Sequence, residues 1–174
     1  MKLFRQALIV LLVNWIVLFL VLELNSLLSP LGIYLIAGGL FVVYPAFHMS
    51  PRGGFPVVLV TGALWDALTP VPFGLHCFAL GILFAILYRL RHRLRSRRPF
   101  HQAVVACGAN LLLIVFLTAW FTPGSNWGVY ASRFLLESLL SEALVFLAAL
   151  WVFDLQTRSV ELLGARPTPE EINQ

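Results

Sequence analysis

The run TGALWDALTPVPFGLHCF, Thr61 to Phe78, sets a carboxylate and an imidazole inside some of the most apolar sequence of the chain. Asp66 stands four residues before Pro70, and His76 four after Pro72. If the prolines form a tight turn between two helices, each group lies about one helical turn from it, and both can sit at the same depth. Such a pair has two uses. It can close the hairpin: Pro72 suits the first position of the following helix, whose free N–H groups attract a carboxylate, so Asp66 would accept hydrogen bonds from that helix start or from His76. Alternatively it can form a polar site for a ligand, an ion or a partner, as ionisable groups at membrane depth do. The hairpin reading carries an expectation, that Asp66→Asn keeps an acceptor of the same shape and is tolerated, whereas Asp66→Leu strands the donors.

Other polar residues fall within apolar runs. Arg133 and Glu137 are spaced i, i+4 and can pair. Glu142 lies deeper, about 140° round the helix from Glu137, with no local partner, so it is either hydrogen-bonded within the protein, to Asn14 or Asn110, or faces a cavity. Glu23 and Asn25 read as interfacial. Cys77 and Cys107 each sit alone in an apolar run, which suggests small buried hydrophobes rather than a disulfide or a zinc site. There is no H-E-x-x-H, no G-x-S-x-G and no dense Asp/Arg/His array for phosphate chemistry, so neither enzymatic activity nor a cofactor is expected.

The elements that must position these groups follow from composition. Hydrophobic residues make up 60% of the 174 and charged ones 11%, against roughly 25% charged in an ordinary soluble domain. With about 20 residues needed per crossing, the chain has room for five or six membrane spans and little else. Apolar runs bounded by turn residues place them at about 7–28, 31–47, 55–69, 73–88, 102–121 and 132–153. The expected fold is all-α: a polytopic membrane protein, a compact bundle of six transmembrane helices with a tight hairpin between the third and fourth. It forms one domain over 1–153 with a short cytoplasmic tail, 154–174. The third run is the shortest, at about 22 Å of helix, and carries Asp66, so it is expected to pack against protein.

With the N-terminus in the cytoplasm, six spans put eleven of the twelve basic residues on the inner side and leave only Arg133 outside. Both termini are therefore expected to be cytoplasmic. The densest cluster, RLRHRLRSRR, holds Arg89, Arg91, Arg93, Arg95, Arg97 and Arg98 between the fourth and fifth spans. An inner-face loop of this kind attracts anionic lipid headgroups at about 1 kcal/mol per basic residue, and can also dock an acidic partner. No aromatic platform or folded reader accompanies it, so nucleic acid is not an expected partner.

Gly62-x-x-x-Asp66, followed by Pro72-x-Gly74-Leu75-His76 and then by a basic loop, resembles the rod shape-determining protein MreD family. The motif covers about 15 residues; length and span count are similar too. The resemblance implies a non-enzymatic subunit of the bacterial inner membrane, part of the cell-elongation machinery that directs peptidoglycan synthesis and cell shape. It implies MreC as a partner and, through MreC, MreB, the glycosyltransferase RodA and a class B penicillin-binding protein. The fold of that family is similar to the six-helix substrate-binding subunits of energy-coupling-factor vitamin transporters, which supplies an alternative role. A transporter subunit would want polar and aromatic groups converging on an outer pocket and small residues on a helix face reaching the cytoplasm, and the first span shows no A-x-x-x-A pattern.

Overall fold

The computed structural model describes residues 2–94, 99–121 and 127–163. The described chain is all-helical, with six α-helices: α1 (Lys2–Leu28), α2 (Gly38–His48), α3 (Pro51–Leu68), α4 (Leu75–Leu94), α5 (Pro99–Phe121) and α6 (Trp127–Leu162). Four of them, α1, α4, α5 and α6, are long and apolar enough to cross a membrane.

Polarity runs inside out relative to a water-soluble bundle. On α1 the buried stripe contains Gln6, Asn14 and Asn25 among its valines, while Leu8, Leu12, Ile16, Phe19 and Leu20 are exposed. A soluble helix would turn that polar face outward. The same holds on α6, where Ser138, Ser141 and Gln156 are buried and Leu139, Leu147 and Trp151 are exposed. Such surfaces are stable where the surroundings are lipid, and the polar groups then gain by facing each other.

The element at the centre is not one that the hydropathy pattern singles out. α2 spans 11 residues, about 16 Å, and every residue from Gly38 to Phe47 is buried. It packs against α3, α4, α5 and α6. Residues 31–37, expected to form the first half of the second span, instead comprise the end of a 3-10 turn (Ser29–Leu31) and a non-helical stretch over 33–37. The shortest α-helix is thus the second, not the third. α3 begins at Pro51, four residues before the expected Phe55, because Pro51 takes the first helical position after Ser50 in extended conformation. α6 runs nine residues past Phe153, so the first part of the expected tail is helical; 164–174, with Arg166, lie outside the described residues.

Pro45 sits inside α2 and has no N–H to offer the carbonyl of Phe41 one turn back. Asn14 of α1 donates its Nδ2 to that carbonyl at 3.4 Å, and its Oδ1 accepts from Nε2 of Gln156 on α6 at 2.9 Å. A helix defect in α2 is therefore filled by a side chain of α1, which α6 holds in place.

Candidate functional site

The α3–α4 hairpin is built around one carboxylate. Oδ1 of Asp66 accepts from the backbone N–H of His76 at 2.9 Å and lies 2.8 Å from its Nδ1. Oδ2 accepts from the backbone N–H groups of Gly74 at 3.0 Å and Cys77 at 3.1 Å. These are donors of the α4 start, where first-turn N–H groups have no partner within the helix. Asp66 and His76 are 3% exposed, and the aligned donors satisfy both carboxyl oxygens in an otherwise apolar surround. Both oxygens are fully engaged, each by two donors.

Two glycines make that geometry possible. A Cβ on Gly62 would stand 2.6 Å from Cα and 2.8 Å from N of Cys77, so only glycine lets the α3 backbone close on the first turn of α4. Asp66, one turn further along, is thereby carried to the N–H groups. Gly74 has φ +101°, a conformation that reverses the chain into α4. Pro72 is not the first residue of α4, as its chemistry suggested; the helix starts three residues later at Leu75, whose N–H bonds to the Pro72 carbonyl at 3.2 Å. The later start frees the N–H groups of His76 and Cys77 for Asp66, which a helix beginning at Pro72 would spend on its own carbonyls; the first i→i−4 bond runs instead from Phe78 N–H to the Gly74 carbonyl at 2.8 Å. Trp65, fully buried, stacks on the His76 ring with centroids 4.4 Å apart and 10° between planes, fixing the imidazole from the side.

A second polar assembly holds the non-helical stretch. Asn25 pairs with Leu35 as one strand pairs with another, its Oδ1 accepting from Leu35 N–H at 2.8 Å and its Nδ2 donating to Leu35 C=O at 2.9 Å. Ile36 N–H donates to Oγ of Ser141 at 3.1 Å, and Ile36 C=O accepts from Nδ2 of Asn110 at 2.9 Å. The same Nδ2 reaches Oε1 of Glu142 at 3.1 Å, while Oδ1 of Asn110 accepts from Gly39 N–H at 3.3 Å. Helices α1, α5 and α6 each lend a side chain to a backbone without its own ladder, the condition under which irregular chain survives at membrane depth. Asn25 is buried, and of the two asparagines named for Glu142 it is Asn110 that bonds it.

Between these assemblies opens a cavity of about 350 Å³. It is bounded by Tyr34 and Ile36 of the irregular stretch, the hairpin turn, His76, the end of α5 at Leu117 and Thr118, and the start of α6 at Phe134 and Glu137. The sequence separates these residues by up to about a hundred positions, and no local pattern links them.

The basic cluster is less uniform than a solvated loop. Arg89, Arg91 and Arg93 belong to α4 itself, and while Arg89 and Arg93 are exposed, Arg91 is 7% exposed with its guanidinium 4.1 Å from the centre of the Tyr88 ring. Arg95, Arg97, Arg98 and the side chain of Arg133 lie outside the described residues. Among the described residues no three His, Cys, Asp or Glu side chains are grouped to hold a metal ion. Comparison with models of protein families, with curated proteins and with solved structures gives no match to this chain.

Proposed function

We propose that this chain is a non-catalytic membrane subunit of the bacterial cell-elongation machinery, the role implied by its resemblance to the MreD family. The observation that carries the reading is the disposition of the resembling residues. Gly62, Asp66, Gly74 and His76 belong to one latch in which glycine permits the approach and the carboxylate binds backbone. Motif residues used in this way specify a shape rather than a reaction. The exposed apolar faces of α1, α5 and α6 offer surface to lipid and to partner helices.

In this reading the protein lies in the inner membrane and crosses it six times, with both termini inside. α2 alone is too short, but with 33–37, at up to about 3.3 Å per residue, it can reach the roughly 30 Å needed. α3, 18 residues, gives about 27 Å. Partners are MreC and, through it, MreB, RodA and a class B penicillin-binding protein, with anionic lipids at the arginine cluster.

Co-purification in mild detergent tests the proposal. Recovery of MreC or the penicillin-binding protein with the tagged chain is the expected result. Retention of a vitamin at nanomolar affinity, about 12 kcal/mol of binding, with neither protein recovered, favours the transporter role instead.

A further inference from the structure

The cavity borders the hairpin latch, and the two share His76. Its Nδ1 lies 2.8 Å from Oδ1 of Asp66, and a neutral ring that donates its proton there leaves a lone pair on Nε2. Asp66 and the stacked Trp65 fix the ring in that orientation. The wall is mainly apolar, including Ile36, Leu117 and Phe134; its polar lining is Tyr34, Thr69, Thr118, Glu137 and His76, and of these the imidazole is held rigidly by the latch. A volume of about 350 Å³ lies within the range of small-molecule sites, roughly 300 to 1,000 Å³.

We propose that this cavity binds a neutral amphipath of small-molecule size, seated by a hydroxyl donated to Nε2 of His76 with its apolar body against α5 and α6. The assignment stands on the cavity and the histidine and is independent of the elongation role. Chemistry narrows the ligand. A carboxylate or phosphate would set its own lone pairs against that of Nε2, and a hydrocarbon without a donor would leave Nε2 unpaired in an apolar pocket. Two cavity residues, Tyr34 and Ile36, belong to the stretch whose backbone is held by Asn110 and Ser141, so a bound molecule touches the irregular part of the fold directly.

Calorimetric titration of the protein in zwitterionic nanodiscs, with empty nanodiscs subtracted, tests this with three probes of one shape: naphthylethanol, ethylnaphthalene and naphthylacetate. The expected result is saturable binding of naphthylethanol, at least about tenfold tighter than ethylnaphthalene, with naphthylacetate no better than the hydrocarbon. Thr118→Phe, which fills the cavity from α5 without touching the latch, abolishes the saturable component. His76→Phe keeps a ring on Trp65 and removes the preference for the alcohol; if that variant does not fold, the comparison of alcohol with hydrocarbon on the unaltered chain decides alone. Equal affinity for the two, tighter binding of the acetate, no saturable binding of the alcohol, or binding that survives Thr118→Phe each overturns the proposal.

Discussion

Oδ1 of Asp66 takes both the backbone N–H of His76, at 2.9 Å, and the ring Nδ1 of the same residue, at 2.8 Å, while Oδ2 takes two further N–H groups. Sequence reasoning treated the aspartate as an acceptor that asparagine could replace. The second oxygen changes that. Asparagine serves His76 with its carbonyl and then turns an NH₂ toward the N–H groups of Gly74 and Cys77, donor against donor. The ordering expected in detergent thermal unfolding is unaltered chain above Asp66→Asn above Asp66→Leu, with the asparagine variant losing about 1 to 3 kcal/mol. An asparagine variant as stable as the unaltered chain, with the leucine variant lower, means that Oδ2 contributes nothing.

How far the sequence discloses this structure depends on where the signal lies. The hairpin is legible because its determinants are local: two prolines, a glycine at positive φ and an acid one turn from the bend all fall within 15 residues. The irregular stretch is not, because IYLIA reads as ordinary membrane-span sequence. What keeps it from becoming helix is the set of partners Asn25, Asn110 and Ser141, the last more than a hundred residues away. Asn25 and Asn110 were visible as polar residues in apolar surroundings, but hydropathy cannot say which backbone a distant amide will meet. The cavity fails for the same reason, since its walls meet only once α5 and α6 are packed.

Gly62 supplies a steric test of the latch. Alanine places a methyl group 2.6 Å from the backbone of Cys77, where no side-chain rotation relieves it. Overpacking of this kind costs about 1 to 3 kcal/mol, and here it also moves Asp66 away from the α4 N–H groups. The expected outcome is a lower unfolding temperature together with faster amide exchange at Gly74, His76 and Cys77. Gly108, which has open space where its Cβ would point, is the matched control: Gly108→Ala is expected to be neutral or stabilising by about 1 kcal/mol, as alanine favours helix. Equal behaviour of the two alanines contradicts the close approach of α3 and α4.

Asn25→Leu removes both hydrogen bonds of Leu35 at once and leaves a buried N–H and a buried C=O without partners. At about 1 to 3 kcal/mol for each stranded group, the loss is among the largest expected for one substitution in this fold. Asn25→Asp keeps the acceptor for Leu35 N–H but opposes the carbonyl with a second acceptor, so it retains one of the two bonds and loses the other. Hydrogen exchange read residue by residue over 33–37 checks the mechanism: protection of Leu35 is lost in Asn25→Leu and retained at least in part in Asn25→Asp, while that of Ile36, held by Ser141, persists in both.

In the proposed six-span arrangement, topology follows from charge and from a composite second span. Reporter fusions placed after Arg98 and after Gln174 are both expected to report cytoplasm, and one placed at Ser125 to report the outer side. If α2 and 33–37 do not together cross the membrane, an odd number of spans separates Lys2 from Arg98, and the first fusion reports the outside.

The repair of α2 at Pro45 is a coupling between two helices and can be measured as one. Asn14→Ala removes the donor to the Phe41 carbonyl and to Oγ1 of Thr61, and the acceptor of Gln156, so on its own it is expected to cost about 2 to 4 kcal/mol. Pro45→Ala restores an N–H at position 45 that can bond the same carbonyl from within α2. In the single Pro45→Ala variant that N–H competes with Asn14, whereas in the double variant it takes over the vacant role. The double variant is therefore expected to be more stable than the sum of the two single changes allows, with a coupling of about 1 kcal/mol in thermal or chemical unfolding. The remainder of the Asn14→Ala loss, which belongs to the bonds with Gln156 and Thr61, stays unrescued. Strict additivity places the Asn14 amide elsewhere than on the Phe41 carbonyl, and the central helix would then carry its proline defect without help from α1.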